Sequence, residues 1–358
     1  MKKYLALLLS LVISFSALSL TACNAGGGEG EQDDKCAVCV EIGTEIVYKE
    51  RGGVMYIGYP CLKCGYVDTV MDSFEVDFTV TEEQTGNEVT RLQQANPNRD
   101  LVICLKKGYY EKIFIGDENR RIYLVGETGT RAKVVQLNGD ANGTTIDNII
   151  FNSNDGVGTC EIKFETAAGN AYWLDTVIKN CHFEGRTSIN SAWKRGIVDN
   201  LTVENCTFKN IGRGWNEEID NWSSDCAIFI GEVWGDNVFK NCVFDGVDYS
   251  AVRLGQYSLD GTFLFENCVF KDIRRSRCIN LMATSTLAGD PNVWEVLIKV
   301  IVNNCVFDCN NTGIWMSDNS NPKVIEEVHV GVNYWRTIPT SITHAVNYDY
   351  RTQLLIED

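Results

Sequence analysis

A short phrase that recurs along the chain limits its possible folds more than any other sequence feature. Each copy has an apolar residue, one polar residue, and then Asn-Cys-x-Phe. The asparagines of the five copies are Asn180, Asn205, Asn241, Asn267 and Asn304, and a weaker copy holds Asn148. Steps of 25 to 37 residues between copies are typical of a stacked solenoid in which each copy marks one turn.

Three short strands are expected in each turn. The first precedes the asparagine, the second is the Cys-x-Phe segment, and the third is a short apolar strand such as Ile228–Ile230 or Val252–Leu254. Because side chains alternate along a strand, the repeated cysteine and phenylalanine both point inward. The asparagine lies at the bend, where it tolerates left-handed backbone angles and where its amide can hydrogen-bond to neighbouring turns.

These features resemble the right-handed parallel β-helix superfamily, the fold of pectate-lyase-like proteins. The segment Leu101–Glu127 resembles the first coils of that superfamily, and Asn333-Tyr334-Trp335 resembles a phrase found near the end of such helices. The resemblance covers about two-thirds of the chain. It implies an all-β fold, a right-handed parallel β-helix solenoid of roughly eight turns, with a carbohydrate groove along the third strands.

Six consecutive parts are predicted along the chain. They are a lipoprotein signal peptide over 1–22, a flexible tether over 23–35, a zinc-ribbon-like module over 36–67, a linker and capping helix over 68–100, the β-helix over 101–338 and a C-terminal cap or tail over 339–358. The capping helix is expected after a capping box at Thr85–Glu88, with Val89, Leu92 and Ala95 at helical spacing. It would cover the apolar end of the solenoid.

The N-terminus has the features of an export signal. Two lysines precede an apolar run, and Leu20-Thr-Ala-Cys23 resembles the lipobox of bacterial lipoproteins, in which Cys23 carries lipid. A plain cleaved signal peptide and a short membrane anchor are the alternatives. We therefore expect an extracytoplasmic protein that is lipid-anchored to the bacterial membrane or cell surface. The net charge of −16 argues against nucleic acid as a partner, and a monomer is expected.

The 15 cysteines fall into two main groups. Cys36, Cys39, Cys61 and Cys64 form two Cys-x-x-Cys pairs around a predicted hairpin, a spacing that matches a structural zinc site. Two disulfides are the alternative in an exported protein. The repeat cysteines are expected to stack on successive turns as small buried apolar residues, because strand spacing exceeds the Cβ separation that a disulfide prefers.

One row of outward residues on the third strands is predicted to bind a sugar chain. Aromatic faces stack on sugar rings, while amides and arginines bind hydroxyls or carboxylates. The alternative is a scatter of exposed residues on a solenoid face. The predicted row consists of Lys163, Asn190, Phe229, Arg253, Asn280 and Trp315.

The loop at 212–225 lies next to this row. Its Trp215 and Trp222 are predicted either to line the groove or to anchor the loop. Four carboxylates could hold a calcium ion, although the spacing is not that of an EF-hand, and a solvated acidic loop is the alternative. These carboxylates are Glu217, Glu218, Asp220 and Asp225.

The resemblance also implies possible chemistry, because polysaccharide lyases of this fold use arginine or lysine as base. Arg253 and Arg277 are the catalytic candidates, with Lys163 third. The motifs of polygalacturonase-type hydrolases and pectin methylesterases are missing from the chain. We therefore expect a surface protein that binds or processes a polysaccharide. An active lyase or glycosidase and a non-enzymatic structural or adhesive protein are the alternatives.

Overall fold

The structure is a computed structural model. It describes residues 42–84, 86–97, 99–116, 121–139, 141–152, 160–165, 171–186, 188–191, 196–212, 225–283, 296–309, 314–318, 324–330, 333–335, 347–350 and 354–355. The chain divides into two compact units, Met1–Lys35 and Cys36–Asp358. The predictions for the signal peptide, for Cys23 and for the tether lie outside the described residues, all of which belong to the second unit.

The described elements are nearly all strands. In chain order they are β1 (Val47–Arg51), β2 (Val54–Pro60), β3 (Val67–Glu75), β4 (Phe78–Val80), α1 (Glu88–Ala95), β5 (Leu101–Leu105), β6 (Tyr109–Ile115), β7 (Ile122–Gly126), β8 (Arg131–Asn138), β9 (Thr145–Asp147), β10 (Ile150–Phe151), β11 (Glu161–Glu165), β12 (Ala171–Leu174), β13 (Val177–Lys179), β14 (His182–Gly185), β15 (Ile189–Asn190), β16 (Gly196–Asp199), β17 (Thr202–Glu204), β18 (Thr207–Ile211), β19 (Ile228–Trp234), β20 (Asp236–Lys240), β21 (Val243–Val247), β22 (Val252–Leu259), β23 (Gly261–Glu266), β24 (Val269–Ile273), β25 (Ile279–Ala283), β26 (Val296–Asn303), β27 (Val306–Asp308), β28 (Ile314–Asp318), β29 (Val324–Val330), β30 (Tyr334–Trp335), β31 (Asn347–Tyr350) and β32 (Leu354–Leu355).

Parallel pairing between successive turns builds the main body. The first strands of the turns form one sheet of eleven strands among the described residues, in the order β31-β29-β26-β23-β20-β17-β13-β9-β7-β5-β4. The second and third strands of the turns pair into a second sheet, again in parallel. The predicted fold class, a parallel β-helix, is confirmed. Its first sheet has eleven described strands, more than the roughly eight turns predicted. The count from the sequence was too low because the outermost strands lack the repeated phrase.

The repeated phenylalanines stack along the interior, as predicted. Phe183, Phe208, Phe244 and Phe270 are paired in register and fully buried. Successive ring centroids lie 4.7–5.1 Å apart with nearly parallel planes. The repeat cysteines are buried beside them, and each thiol donates to a backbone carbonyl of the preceding turn, as Cys242 does to Val203 at 3.4 Å. One face of every turn therefore enters a continuous apolar core.

The repeated asparagines form a hydrogen-bonded ladder, which confirms the second prediction for the phrase. All have left-handed backbone angles, with φ from +52° to +55°. The Nδ2 of Asn241 donates to Oδ1 of Asn205 at 3.0 Å, and Asn267 donates to Asn241 at 3.0 Å. At the two ends of the ladder, Asn304 donates to Asn267 and Asn205 donates to Asn180. These side chains fix the same bend in each turn.

A three-stranded antiparallel sheet precedes the β-helix. The predicted hairpin is present, since β1 and β2 pair across Gly52 and Gly53, whose φ angles of +58° and +82° suit a two-residue turn. The third strand, β3, runs to Glu75, beyond residue 67 where the sequence predicts the module to end. We call this sheet, residues 47–75, the ribbon.

The ribbon packs against the outer face of the first turns. Met55 is buried with Cys104 and Val125 in a small apolar cluster of its own. Lys106 forms ion pairs with Glu50 of the ribbon at 2.5 Å and with Glu127 at 3.3 Å. The ribbon is therefore attached to the β-helix by both apolar and ionic contacts.

The helix α1 lies at the start of the β-helix, where a cap is expected. Val89 and Leu92 are buried, as predicted, whereas Ala95 is exposed near the end of the helix. Gln93 accepts a hydrogen bond from the backbone of Gly116 at 2.7 Å. The predicted capping box is wrong, because Asn87 is the N-cap and makes no side-chain cap hydrogen bond. No helix in the described part of the chain is long and apolar enough to cross a membrane.

Candidate functional site

The six predicted outward residues lie in one row across six consecutive third strands. Each is the register partner of the next, and the row runs Lys163, Asn190, Phe229, Arg253, Asn280 and Trp315. For the five residues from Lys163 to Asn280, the neighbours along the strand, such as Ile228 and Ile230, are buried in the interior. Strand alternation therefore turns these five side chains away from the interior, as predicted from the sequence.

The N-terminal end of the row is rich in charge. Lys163 is flanked on β11 by Glu161 and Glu165, and its ammonium pairs with Glu165 at 2.5 Å. Asn190 donates to Glu161 at 3.1 Å. Burial raises the pKa of Glu161 above its usual value, against the opposing effects of Asn190 and Lys163. This end of the row therefore holds a carboxyl group that takes up a proton more readily than an exposed glutamate.

The centre of the row combines an arginine with two aromatic rings. The guanidinium carbon of Arg253 lies 5.0 Å from the ring centroid of Phe229 and 5.9 Å from that of Tyr249. All three side chains are partly exposed. Cation–π contact of this kind holds the guanidinium in place without neutralising its charge. The centre therefore presents a positioned cation beside aromatic surface.

The corners just before β22 and β25 carry further polar groups. Asp248, before β22, is fully buried, and its carboxylate lies 3.2 Å from Nε of Arg275, before β25. Burial lowers the pKa of Arg277 below its usual value, although Tyr249 opposes that change. A lowered pKa is the direction that an arginine base requires. Asn280, predicted to contact substrate, is only 2% exposed, and its Oδ1 has no hydrogen-bond partner among the described residues.

A cysteine next to the centre is not suited to nucleophilic chemistry. Cys226 is fully buried, and burial raises the pKa of its thiol to about 12, against the opposing effect of Arg253. Since the thiolate is the reactive form, this thiol is unreactive at neutral pH.

Several site residues were not predicted from the sequence. Glu161 and Glu165 follow from the same alternation that identified Lys163, so the local pattern could have revealed them. Asp248 and Tyr249 lie in a corner between strands, where no periodic pattern indicates which way a side chain points.

Other predicted groups lie largely outside the described residues. Trp215, Trp222, Glu217, Glu218 and Asp220 fall in the segment 213–224, and the side chain of Trp315 is likewise outside the described part. Asp225, the remaining calcium candidate, lies 3.6 Å from Nε of Arg186. The described residues contain no group of three or more potential metal ligands.

One half of the predicted zinc site is described. Cys61 and Cys64 flank a tight turn in which Gly65 donates to the carbonyl of Cys61 at 2.8 Å and has φ of +72°. Cys36 and Cys39 lie outside the described residues. Cys61 is buried and Cys64 is exposed, and zinc at these four cysteines stays a prediction.

Comparisons with known proteins give structural likenesses of low identity. No protein-family model matches the chain, and no curated protein matches it. The pectin methylesterase from Aspergillus niger, in penultimately deglycosylated form, shares 14% identity over 72% of this chain and 86% of its own, with a TM-score of 0.42. Its deglycosylated form shares 14% identity over 72% of this chain and 87% of its own, with a TM-score of 0.39. The Escherichia coli protein ybhc shares 12% identity over 75% of this chain and 87% of its own, with a TM-score of 0.37.

The class of this protein therefore follows from its own strand pairing. The chain is a parallel β-helix protein with a ribbon on its first turns. It carries a row of charged, amide and aromatic residues along one outer face.

Proposed function

We propose that this protein binds a polysaccharide along the row of third-strand residues. The observation that carries the proposal is the contact between Arg253 and Phe229 at the centre of a row that continues over six turns. Strand spacing of about 4.8 Å places these residues at regular intervals. A long, regular face of this kind suits an extended polymer better than a small ligand.

The chemistry of the row supports a sugar as the ligand. Phe229 offers a ring on which a sugar face can stack, and Asn190 offers an amide for hydroxyl groups. Arg253 is held against two rings before any ligand arrives, so less conformational entropy is lost on binding. Preorganised groups of this type favour binding over a scatter of mobile exposed side chains.

Local charge distinguishes the site from the rest of this acidic chain. The net charge is −16, yet Arg253 contributes a positive charge at the centre of the row. Arg274 and Arg275, just before β25, are paired with Asp272 and Asp248. A sugar chain would therefore meet the cation of Arg253 at the centre of the row and the carboxyl groups of Glu161 and Glu165 at its N-terminal end.

Attachment to a surface is the second part of the proposal. The lipobox-like Leu20–Cys23 supports lipidation at Cys23, and the four N-terminal cysteines support a zinc-stabilised ribbon. Lipid at Cys23 would hold the β-helix near a membrane through the tether that follows. Metal analysis and intact-mass measurement on protein extracted from membranes test these two points.

A lyase is the second candidate function, and Arg277 favours it. Its guanidinium has a lowered pKa and belongs to the corner just before β25, the strand that pairs with the strand of Arg253. Such a base would remove the proton α to a uronate carboxylate. The glycosidic C–O bond at the β carbon would then break, so that the departing sugar oxygen takes up a proton and an unsaturated uronate remains. A structural or adhesive role is the remaining alternative, and it requires no sugar ligand.

Affinity electrophoresis in gels that contain single polysaccharides separates these three functions. Binding predicts retarded migration in at least one polysaccharide without new reducing ends. A lyase predicts that the ultraviolet absorbance of unsaturated uronate appears with time. Unretarded migration in every neutral and acidic polysaccharide tested would contradict the proposal.

A further inference from the structure

Two buried sulfur atoms lie in direct contact on neighbouring turns. Cys278 directly precedes β25 and Cys309 directly follows β27, and their Sγ atoms are 2.9 Å apart. Both residues are buried, with exposures of 0% and 6%. Among the repeat cysteines, the thiol of Cys242 donates to the carbonyl of Val203 at 3.4 Å. Only a small movement separates Cys278 and Cys309 from the sulfur spacing of about 2.05 Å in a disulfide.

We propose that Cys278 and Cys309 form a structural disulfide when the chain folds in an oxidising compartment. Each thiol loses its hydrogen, and one bond forms between the two sulfurs. The oxidant is the disulfide of a thiol–disulfide oxidoreductase, which is reduced to two thiols in the exchange. The export signal predicted at the N-terminus supports such a compartment.

Burial determines when this bond can form. Exchange requires a thiolate that another disulfide can reach. Burial raises the pKa of the Cys278 thiol, and the side chain is inaccessible in the folded chain. The bond therefore forms before the two turns close on each other, and in the folded protein it resists soluble reductants.

The disulfide would join two successive turns at one corner. It closes a loop that begins before β25 and ends after β27, with its two ends 31 residues apart in sequence, and this loop contains most of the longest step between repeats. A cross-link around so long a loop restricts the unfolded chain. Arg277 directly precedes Cys278, so the bond also anchors the corner that borders the sugar-binding row. That last consequence rests on the proposed function.

Mass spectrometry of the full chain, extracted from an oxidising compartment, tests the proposal. The protein is unfolded in an alkylating agent without reductant and then digested. We expect one cross-linked peptide pair that contains Cys278 and Cys309 and that separates on reduction, while Cys242 and Cys268 are alkylated. Alkylation of both Cys278 and Cys309, or a bond from either of them to another cysteine, would overturn the proposal.

Stability measurements give a second readout. Cys278→Ala, Cys309→Ala and the double variant should lower the urea midpoint by the same amount, and reductant should not lower it further. Reductant reaches the bond once urea unfolds the chain, so it should lower the midpoint of the unchanged chain and of the control Cys242→Ala. An unchanged midpoint under reductant would contradict the bond. If polysaccharide retention were absent while the cross-linked peptide was present, the proposed function would fail and the disulfide would stand.

Discussion

Arg253 lies over the ring of Phe229, its register partner on the preceding turn, with 5.0 Å between the guanidinium carbon and the ring centroid. The pair joins a fixed cation to an aromatic face at the middle of the proposed sugar-binding row. Its two members are therefore the most informative positions for substitution.

Arg253→Ala should weaken polysaccharide retention by about tenfold or more, because a charge-assisted hydrogen bond contributes roughly 1.5–3 kcal/mol. Arg253→Lys should recover only part of the loss, since lysine lacks the planar fork of arginine. The measurement is the dissociation constant from affinity electrophoresis. Lys209→Ala is the control, because this exposed lysine on β18 also removes one positive charge but lies outside the row. Equal losses in the two alanine variants would mean that net charge alone determines retention.

The asparagine ladder predicts a stability difference between two substitutions at one position. Asn241→Ala should lower the free energy of unfolding by about 2 kcal/mol, because it removes ladder hydrogen bonds and forces alanine into a left-handed conformation. Asn241→Gly should lower it by about 1 kcal/mol, since it removes the same hydrogen bonds but glycine adopts φ of +53° freely. Urea unfolding followed by circular dichroism measures both. Equal costs would show that the backbone angle at this bend contributes nothing.

The interior stack predicts a larger loss. Phe208→Ala should cost about 3–5 kcal/mol, because the ring is fully buried between Phe183 and Phe244. Phe229→Ala, at a partly exposed ring on the outer face, should cost about 1 kcal/mol and should reduce polysaccharide retention instead. The same urea experiment compares the two. A similar stability loss in both would contradict the inward and outward assignment of these strands.

The ribbon should loosen at acid pH. Burial acts to raise the pKa of Glu50, but its hydrogen bonds with Lys106 and with the backbone of Gly53 outweigh burial and leave that pKa lowered. A lowered pKa stabilises the folded chain above the ordinary glutamate pKa of about 4.3 and loses this effect as the pH falls through the folded value. Glu50→Gln should therefore lower the free energy of unfolding by about 1–2 kcal/mol at pH 7 and leave it almost unchanged near pH 3.

The same substitution at Glu75, which is exposed on β3, serves as the control. Its cost should be small at every pH. A cost for Glu50→Gln that does not change with pH would show that the ion pair with Lys106 does not stabilise the ribbon.

Much of the fold could be predicted because the repeat is local. Each copy carries its own alternation, so the inward Phe208, the bend at Asn205 and the outward Phe229 follow from residues close in sequence. The row itself then follows, since equivalent positions must align on successive turns. The N-cap of α1 was missed because capping depends on one backbone conformation that neighbouring residue types only suggest.

The remainder depends on contacts between distant residues. Asn280 occupies an outward position yet is buried, and alternation along its own strand cannot indicate what covers it. The packing of Met55 on Cys104 and Val125 joins segments that share no pattern. Cys278 and Cys309 lie outside the repeated phrase, so their contact could not be read from the spacing of the other cysteines.

Photo-crosslinking of a diazirine-labelled oligosaccharide, prepared from the polysaccharide that retards the chain most, tests the central claim most directly. The account predicts that labelled peptides come from β19, β22 and the corner before β25, and that Arg253→Ala reduces their labelling. Labelling confined to the outer face of the first sheet, such as β20 and β23, would contradict it.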